Sequence, residues 1–310
     1  MAYTDREDLN YLGQLYLIGA NQTPFLNMIG GLSGGGKVTK SFDFPIAQPW
    51  ALRAADQSTA VKSEATSITD VTEITYTRGQ DYNTVQIMKY PYGVSFAKQS
   101  TSGEISGLSI AGGVQPVPDA RAFQHTGAMK QMSIDIELSC LQGAYVANNI
   151  STTVAKTRGI IEACASNTVA GGAAALTKAM IDELLREMAA SGAQFSNMVA
   201  FCNAFQKQKI SNVYGYPTES RNVGGVNITS VETDFCQLGI IWAPQMPTDK
   251  ILIADMSVVY PVFCPYEGQV IADVETAVTT AKKGGFLYTQ FGLDYGPEEF
   301  HGTLTGLSTS

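Results

Sequence analysis

Residues 118–149 carry one uninterrupted helical pattern, about 30 residues long and on the order of 45 Å at 1.5 Å per residue. A compact domain of 310 residues has a radius of gyration of about 20 Å and a diameter of roughly 50 Å, so such a helix would cross nearly the whole body. Pro118-Asp119 is a helix start signal, with Asp119 placed to favour the positive end of the helix dipole. Met129, Met132, Ile136, Cys140, Gly143 and Ala147 recur at spacings of three and four and form one apolar stripe. Ile134, Leu138, Leu141 and Tyr145 form a second, rotated about 140° from the first, and Gln131, Asp135 and Gln142 fall between them. Two apolar faces predict a helix sandwiched between layers, with Gly143 as a point of close approach. A long core helix of an ordinary α+β protein accounts for the same pattern.

Composition narrows the function classes. Only 15% of residues are charged against about 25% in an average domain, and Ser, Thr, Asn, Gln and Gly take their place. A polar, uncharged surface is cheaper to desolvate than a charged one, which suits extensive protein contacts. The formal net charge of −8 argues against a basic nucleic-acid-binding patch. Cys140, Cys164, Cys202, Cys236 and Cys264 are odd in number and have no metal-site spacing, so they read as reduced, buried small residues. Residues 1–8 are polar and acidic rather than a signal peptide, and no apolar run approaches a membrane span. A soluble protein made in a cytoplasm is expected.

Thr4-Asp5-Arg6-Glu7 is a capping box, and Thr23-Pro24 opens a second short helix that Gly30-Gly31 stops. These helices are too small to hold a core and read as an arm. Residues 56–69 are rich in Ser, Thr and Ala and have almost nothing with which to build a buried core; so long a polar excursion in a compact chain is functional or disordered. Residues 71–77 and 82–89 read as strands. Residues 103–118 are a Gly/Pro-rich connector. Beyond the long helix, residues 158–165 read as helical, Met180, Ile181, Leu184, Leu185 and Met188 mark an amphipathic helix ended by Gly192, and Asn203 reads as the cap of a helix running to about Val213. Residues 214–225 are turn-rich, and strands are expected at 226–231, 239–242, 251–255, 258–264, 270–274 and 286–293. Lys282-Lys283-Gly284-Gly285 reads as a hairpin turn with its lysines outward.

Catalytic signals are weak. The run from Gly31 to Lys37 has phosphate-loop spacing, but Val38 stands where a Mg²⁺-binding hydroxyl belongs, and the run follows a helix instead of preceding one. A flexible hinge is the better reading. His125 lies on the long helix with no partner in view. Glu298, Glu299 and His301 form the one cluster resembling a metal or acid–base site, and a solvated turn explains it equally. No catalytic residue, cofactor or metal site is therefore expected; a small metal-dependent enzyme using Glu298, Glu299 and His301 is the outlying alternative.

The order of segments, the opening Met1-Ala2-Tyr3-Thr4-Asp5-Arg6-Glu7-Asp8, the run Thr23-Pro24-Phe25-Leu26-Asn27, the strand pair at 251–264 and the closing Tyr288-Thr289-Gln290-Phe291-Gly292-Leu293-Asp294-Tyr295-Gly296-Pro297-Glu298-Glu299-Phe300 resemble the major capsid proteins of tailed bacteriophages. That is the Hong-Kong-97-type fold, in the branch without a fused scaffolding segment. The resemblance implies an α+β fold with an N-terminal arm (residues 1–40) and an extended β-hairpin loop (41–90). A peripheral domain with the spine helix (91–165) and an α/β axial domain (166–254) would follow, then C-terminal strands (255–310) returning to the peripheral domain. It implies self-assembly into hexamers and pentamers of an icosahedral or prolate head that encloses double-stranded DNA without reading its sequence. Portal and separate scaffold or decoration proteins would be partners, assembly would occur in the host cytoplasm, and no membrane is involved. A phage-derived nanocompartment shell is the nearer alternative. The residues expected at contacts between subunits are Trp50, Leu52, Arg53, Val71, Ile74, Tyr76 and Arg78 on the excursion, with Tyr214 and Tyr216 at the axial loop.

Overall fold

The computed structural model describes residues 22–32, 36–46, 50, 52, 55, 57, 61–69, 75, 76, 78–97, 120–148, 154–215, 229–276 and 280–309. The capping box at residues 4–7, the connector at 103–118 and the helix start at Pro118-Asp119 lie outside these residues. Thirteen strands are described: β1 (Lys37–Val38), β2 (Asp43–Pro45), β3 (Tyr82–Thr84), β4 (Gln86–Ser95), β5 (Thr168–Ala170), β6 (Met198–Cys202), β7 (Ser230–Glu232), β8 (Gln237–Trp242), β9 (Ile251–Asp255), β10 (Tyr260–Phe263), β11 (Ile271–Glu275), β12 (Lys282–Asp294) and β13 (Gly302–Thr305).

They form two main sheets and a small one. In the first, β12 is the axis: β4 pairs along Lys282–Phe291, while β10 and β11 pair with successive parts of β12, and β1 closes the edge parallel to β10. The second has the order β5-β13-β9-β6-β8-β7. A two-stranded ladder joins β2 to β3. The expected return of residues 255–310 to one module is therefore split. β10, β11 and β12 lie in the first sheet, but β13 crosses into the second. The turn that redirects the chain follows Pro297, and Glu298–Phe300 forms a single 3₁₀ turn.

Alternation explains why β6 and β9 are buried throughout. Side chains in a strand point alternately to opposite faces. Met198, Ala200 and Cys202 of β6 enter the core formed by the Lys178–Ser191 helix, through Ile181, Leu184, Leu185 and Met188. Val199 and Phe201 enter the other core, with Phe25, Ile136 and Cys140. The amphipathic helix ends at Gly192 in the left-handed region (φ 93°), as its pattern predicts. The Asn203 side chain accepts the Gln206 N–H at 2.9 Å and caps the Ala204–Tyr214 helix.

The long helix is shorter than expected: it runs from Ala120 to Gln142, 23 residues and about 35 Å. It stops because Gly143 is pressed against Gly159, whose N–H donates to the Gly143 carbonyl at 2.8 Å, and the chain then bridges Val146 to Lys156. Nor are the two stripes two separate buried faces. At 100° per residue, the buried residues Met132, Ile136, Glu137, Cys140 and Leu141 fill one arc about half the circumference wide. Leu138 of the second stripe is 41% exposed, and Ile134 is half-buried. The helix lies across β4 and β12 and meets the arm helix Pro24–Met28.

Gly127 on this helix and Gly143 at its end predict opposite outcomes. A Cβ on Gly143 would meet the Thr157 carbonyl at 2.6 Å and the Gly159 nitrogen at 3.2 Å. Gly143→Ala is expected to cost about 2 kcal/mol, since neither backbone atom can move away. A Cβ on Gly127 meets nothing within 4 Å, so Gly127→Ala should stabilise by about 1 kcal/mol through helix propensity. Thermal unfolding of the two variants checks both signs.

Lys282-Lys283-Gly284-Gly285 is not a turn: all four residues lie within β12. A Cβ on Gly285 would come within 2.7 Å of the Val274 carbonyl and 2.8 Å of the Tyr92 hydroxyl, so close approach, not turning, explains the glycine pair. The strand expected at residues 82–89 is interrupted at Val85 and continues to Ser95.

Candidate functional site

Two strands, β2 and β3, carry the chain out of the body and back, in the register Asp43↔Thr84, Phe44↔Asn83 and Pro45↔Tyr82. Beyond them, every described residue from Trp50 to Asp81 is exposed. Trp50 bridges to Arg78, and its ring meets Tyr76 edge-on at 6.4 Å between centroids. This aromatic clasp ties the two legs together, yet Trp50 remains 62% exposed. Further out, the helix Glu64–Ser67 forms without tertiary support. Ser63 and Thr66 satisfy each other's backbone N–H through their side chains in a capping box. Val61 and Ile68 flank this helix and project into solvent, Ile68 at 84% exposure.

The structure therefore brings Trp50, Tyr76 and Arg78 together and leaves Leu52 exposed beside them. Arg53, Val71, Ile74 and Tyr216 lie outside the described residues, as does most of the axial loop at residues 214–225. Tyr214 is turned inward: it is half-buried and packs on the second core, and burial, then Asp182, pushes its phenol up to about 12.

The structure does not gather Glu298, Glu299 and His301 into one metal-binding group. The His301 ring is fully buried, Nδ1 accepts the Asp255 N–H at 3.2 Å, and Nε2 lies 2.5 Å from the Tyr295 carbonyl, to which its proton is donated. Burial holds the imidazole below its ordinary pKa, hence neutral. Glu298 points elsewhere, accepting the Ala165 N–H and the Ser166 hydroxyl. Among the described residues no group of three or more His, Cys, Asp or Glu side chains is placed to hold a metal ion. The phosphate-loop reading fails likewise, because Lys37 Nζ is 2.6 Å from Asp294 Oδ2 and lies over the Tyr260 ring. His125 does have partners, Asp273 at 3.3 Å and the Tyr92 ring. The five cysteines are free thiols; burial pushes Cys140 and Cys164 well up and Cys202 up to about 12, so these three are unreactive.

Two features carried no sequence signal. Glu137, in the middle of the buried arc, accepts the N–H groups of Phe25 at 3.1 Å and Leu26 at 2.7 Å. It caps the arm helix from another element, where Thr23 makes no side-chain cap. Burial pushes its carboxyl up to about 7 despite those two bonds. The other feature is a polar cluster of Asp81, Asn83, Arg158 and Tyr295 at the root of the excursion.

Comparison with known proteins follows the same outline. Among curated proteins no sequence match is found. The chain is similar in structure to the capsid protein of cyanophage A-1(L), at 12% identity and a TM-score of 0.66, covering 99% of this chain and 98% of the other. It is also similar to the capsid protein of cyanophage P-SCSP1u, at 8% identity and a TM-score of 0.60, covering 97% and 93%. The SrpI encapsulin of Synechococcus elongatus matches at 11% identity and a TM-score of 0.58, covering 100% and 98%. At these identities the likeness establishes the fold: an α+β capsid fold of the Hong-Kong-97 type. Among the described residues no helix is long and apolar enough to cross a membrane. The family model of the SU10 major capsid protein matches residues 2–308, and the chain belongs to that family.

Proposed function

We propose that this chain is a shell-forming subunit that assembles with copies of itself into the head of a tailed bacteriophage. The observation that carries the reading is the family match along the whole chain. The exposed excursion supports it physically, because its described residues from Trp50 to Asp81 are all exposed and gain burial only against a partner. The role is structural.

The finer reading is an icosahedral or prolate shell of hexamers and pentamers around double-stranded DNA. The formal net charge of −8 favours an inner surface that does not adhere to packaged DNA. Portal protein, and a separate scaffold or decoration protein, would complete the particle, with assembly in the host cytoplasm. Residues 1–40 would serve as the arm and 41–90 as the loop that overlaps a neighbour. Residues 166–254 with β13 would form the axial module, and the first sheet with the spine helix the peripheral one. The likeness to the SrpI encapsulin favours a second reading, a nanocompartment shell; genes for portal and terminase, or for a cargo enzyme, beside this one distinguish the two. Negative-stain microscopy of the expressed full chain is expected to reveal closed particles of uniform size. A chain that stays monomeric under all assembly conditions would overturn the proposal.

A further inference from the structure

The root of the excursion is bonded far more heavily than a solvated hairpin requires. Asn83 is fully buried and uses its whole amide: Nδ2 donates to the carbonyls of Leu293 at 2.7 Å and Arg158 at 3.2 Å. Its Oδ1 accepts the N–H of Arg158 at 2.8 Å and of Thr84 at 2.9 Å. Beside it, Asp81 Oδ2 accepts from the Tyr295 hydroxyl at 2.8 Å and from Arg158 Nη1 at 3.0 Å. Arg158 Nη1 also donates to the Tyr295 oxygen at 3.2 Å, and its guanidinium lies 4.6 Å from the centroid of the Tyr145 ring. On the other leg, the Phe44 ring covers Gly292 so closely that a Cβ there would come within 2.7 Å of it. One leg is thus bonded to the end of β12 and to the segment after the spine helix, and the other is packed on β12.

Apolar contact alone would seal this root but would accept a range of orientations, since it is not directional. Hydrogen bonds depend steeply on angle, and a satisfied polar network anchored on the buried Asn83 and Tyr295 specifies one arrangement. We propose that Asp81, Asn83, Arg158 and Tyr295 are positioning residues that set the direction in which the excursion leaves the subunit. Through it they set the angle between neighbouring copies and hence the curvature of the shell. The inference rests on the shell-subunit reading. A small rotation at the root is magnified at the tip, where Val61 and Ile68 are displayed. Curvature therefore depends on four side chains remote from those displayed there.

The test uses the full chain with Tyr295→Phe, Arg158→Lys and Asp81→Asn. The first keeps the buried ring and loses only the hydroxyl; the last alters a side chain that is 53% exposed, sparing the core. Hydrogen exchange of the Tyr82–Thr84 amides in the unassembled subunit is expected to accelerate about fivefold, the effect of losing one such bond. Particle diameter, measured by cryo-electron microscopy, is expected to shift or to broaden into several size classes. Ile253→Val, which loses packing in the second core, serves as the stability control and should keep wild-type diameter. Root variants whose particles match the wild type in diameter overturn the inference. A wild-type chain that builds no particles defeats the shell reading instead, and the exchange measurement still reports on the root.

Discussion

A chain lacking residues 56–69 is expected to fold normally and to form no closed particles. The two halves of this result have separate physical causes. All described residues in that stretch are solvent-exposed, so its loss removes no core contact. Surface changes of this kind stay within about 0.5 kcal/mol, and a shorter loop is slightly cheaper to close. The melting temperature of the subunit should therefore move by no more than about 2 °C. What disappears is the capped helix Glu64–Ser67 with Val61 and Ile68 on either side of it, the exposed apolar groups at the outer end. A shell multiplies each contact by the number of its copies, so losing one kind of contact is felt at every position. Thermal melting and electron microscopy of the same preparation check the two halves. Unfolding of the subunit on deletion would place these residues in the core and remove them from assembly.

The second large effect concerns Glu137. Glu137→Ala should lower stability by about 3 kcal/mol, because it leaves the Phe25 and Leu26 N–H groups buried without acceptors. For a chain of this length that is about 5 °C in melting temperature. The pH dependence follows from burial, which raises the carboxyl from 4.5 to about 7. Between those values the folded protein holds a proton that the unfolded chain has released. The stabilisation is therefore complete below about pH 4.5, declines as pH rises, and is gone above about pH 7, a span of at most about 3 kcal/mol. Cys140, one turn further along, is the titratable neighbour, and its raised thiol stays neutral across this window. Glu137→Gln preserves shape and one acceptor oxygen while removing the titration. The difference between wild type and Glu137→Gln in melting temperature from pH 4 to pH 8 isolates the effect; identical profiles would contradict it.

Where periodicity carries information, the residues announced the structure. The Lys178–Ser191 helix, its Gly192 stop and the Asn203 cap were legible because each rests on local spacing and local caps. The spine helix was legible in kind but not in length, since Gly143 ends it through a contact with Gly159 that no helical pattern encodes. Gly284 and Gly285 misled for a related reason: glycine permits both a turn and a close approach, and only the Tyr92 and Val274 atoms across the ladders decide. On the excursion, the resemblance offered Trp50, Tyr76 and Arg78 as contact residues, but the clasp they form with one another had no local signal. Nor did the root cluster, because Asp81 reads as an ordinary turn residue and Asn83 as an ordinary strand residue until Arg158 and Tyr295 are folded against them. Glu137 was hidden for the same reason, as a carboxylate on a long helix is normally solvated.

The strand order also carries a consequence for timing. Asn83 bonds to Leu293 and Asp81 to Tyr295, partners 210 and 214 residues further along the chain. The first sheet is organised on β12, and the second has β13 inserted between β5 and β9. During synthesis, therefore, neither sheet completes and the excursion is not fixed in direction until β12 and β13 have left the ribosome. Pairings this distant in sequence form late. Nascent subunits on one message would then lack the geometry needed to engage one another until both strands have paired.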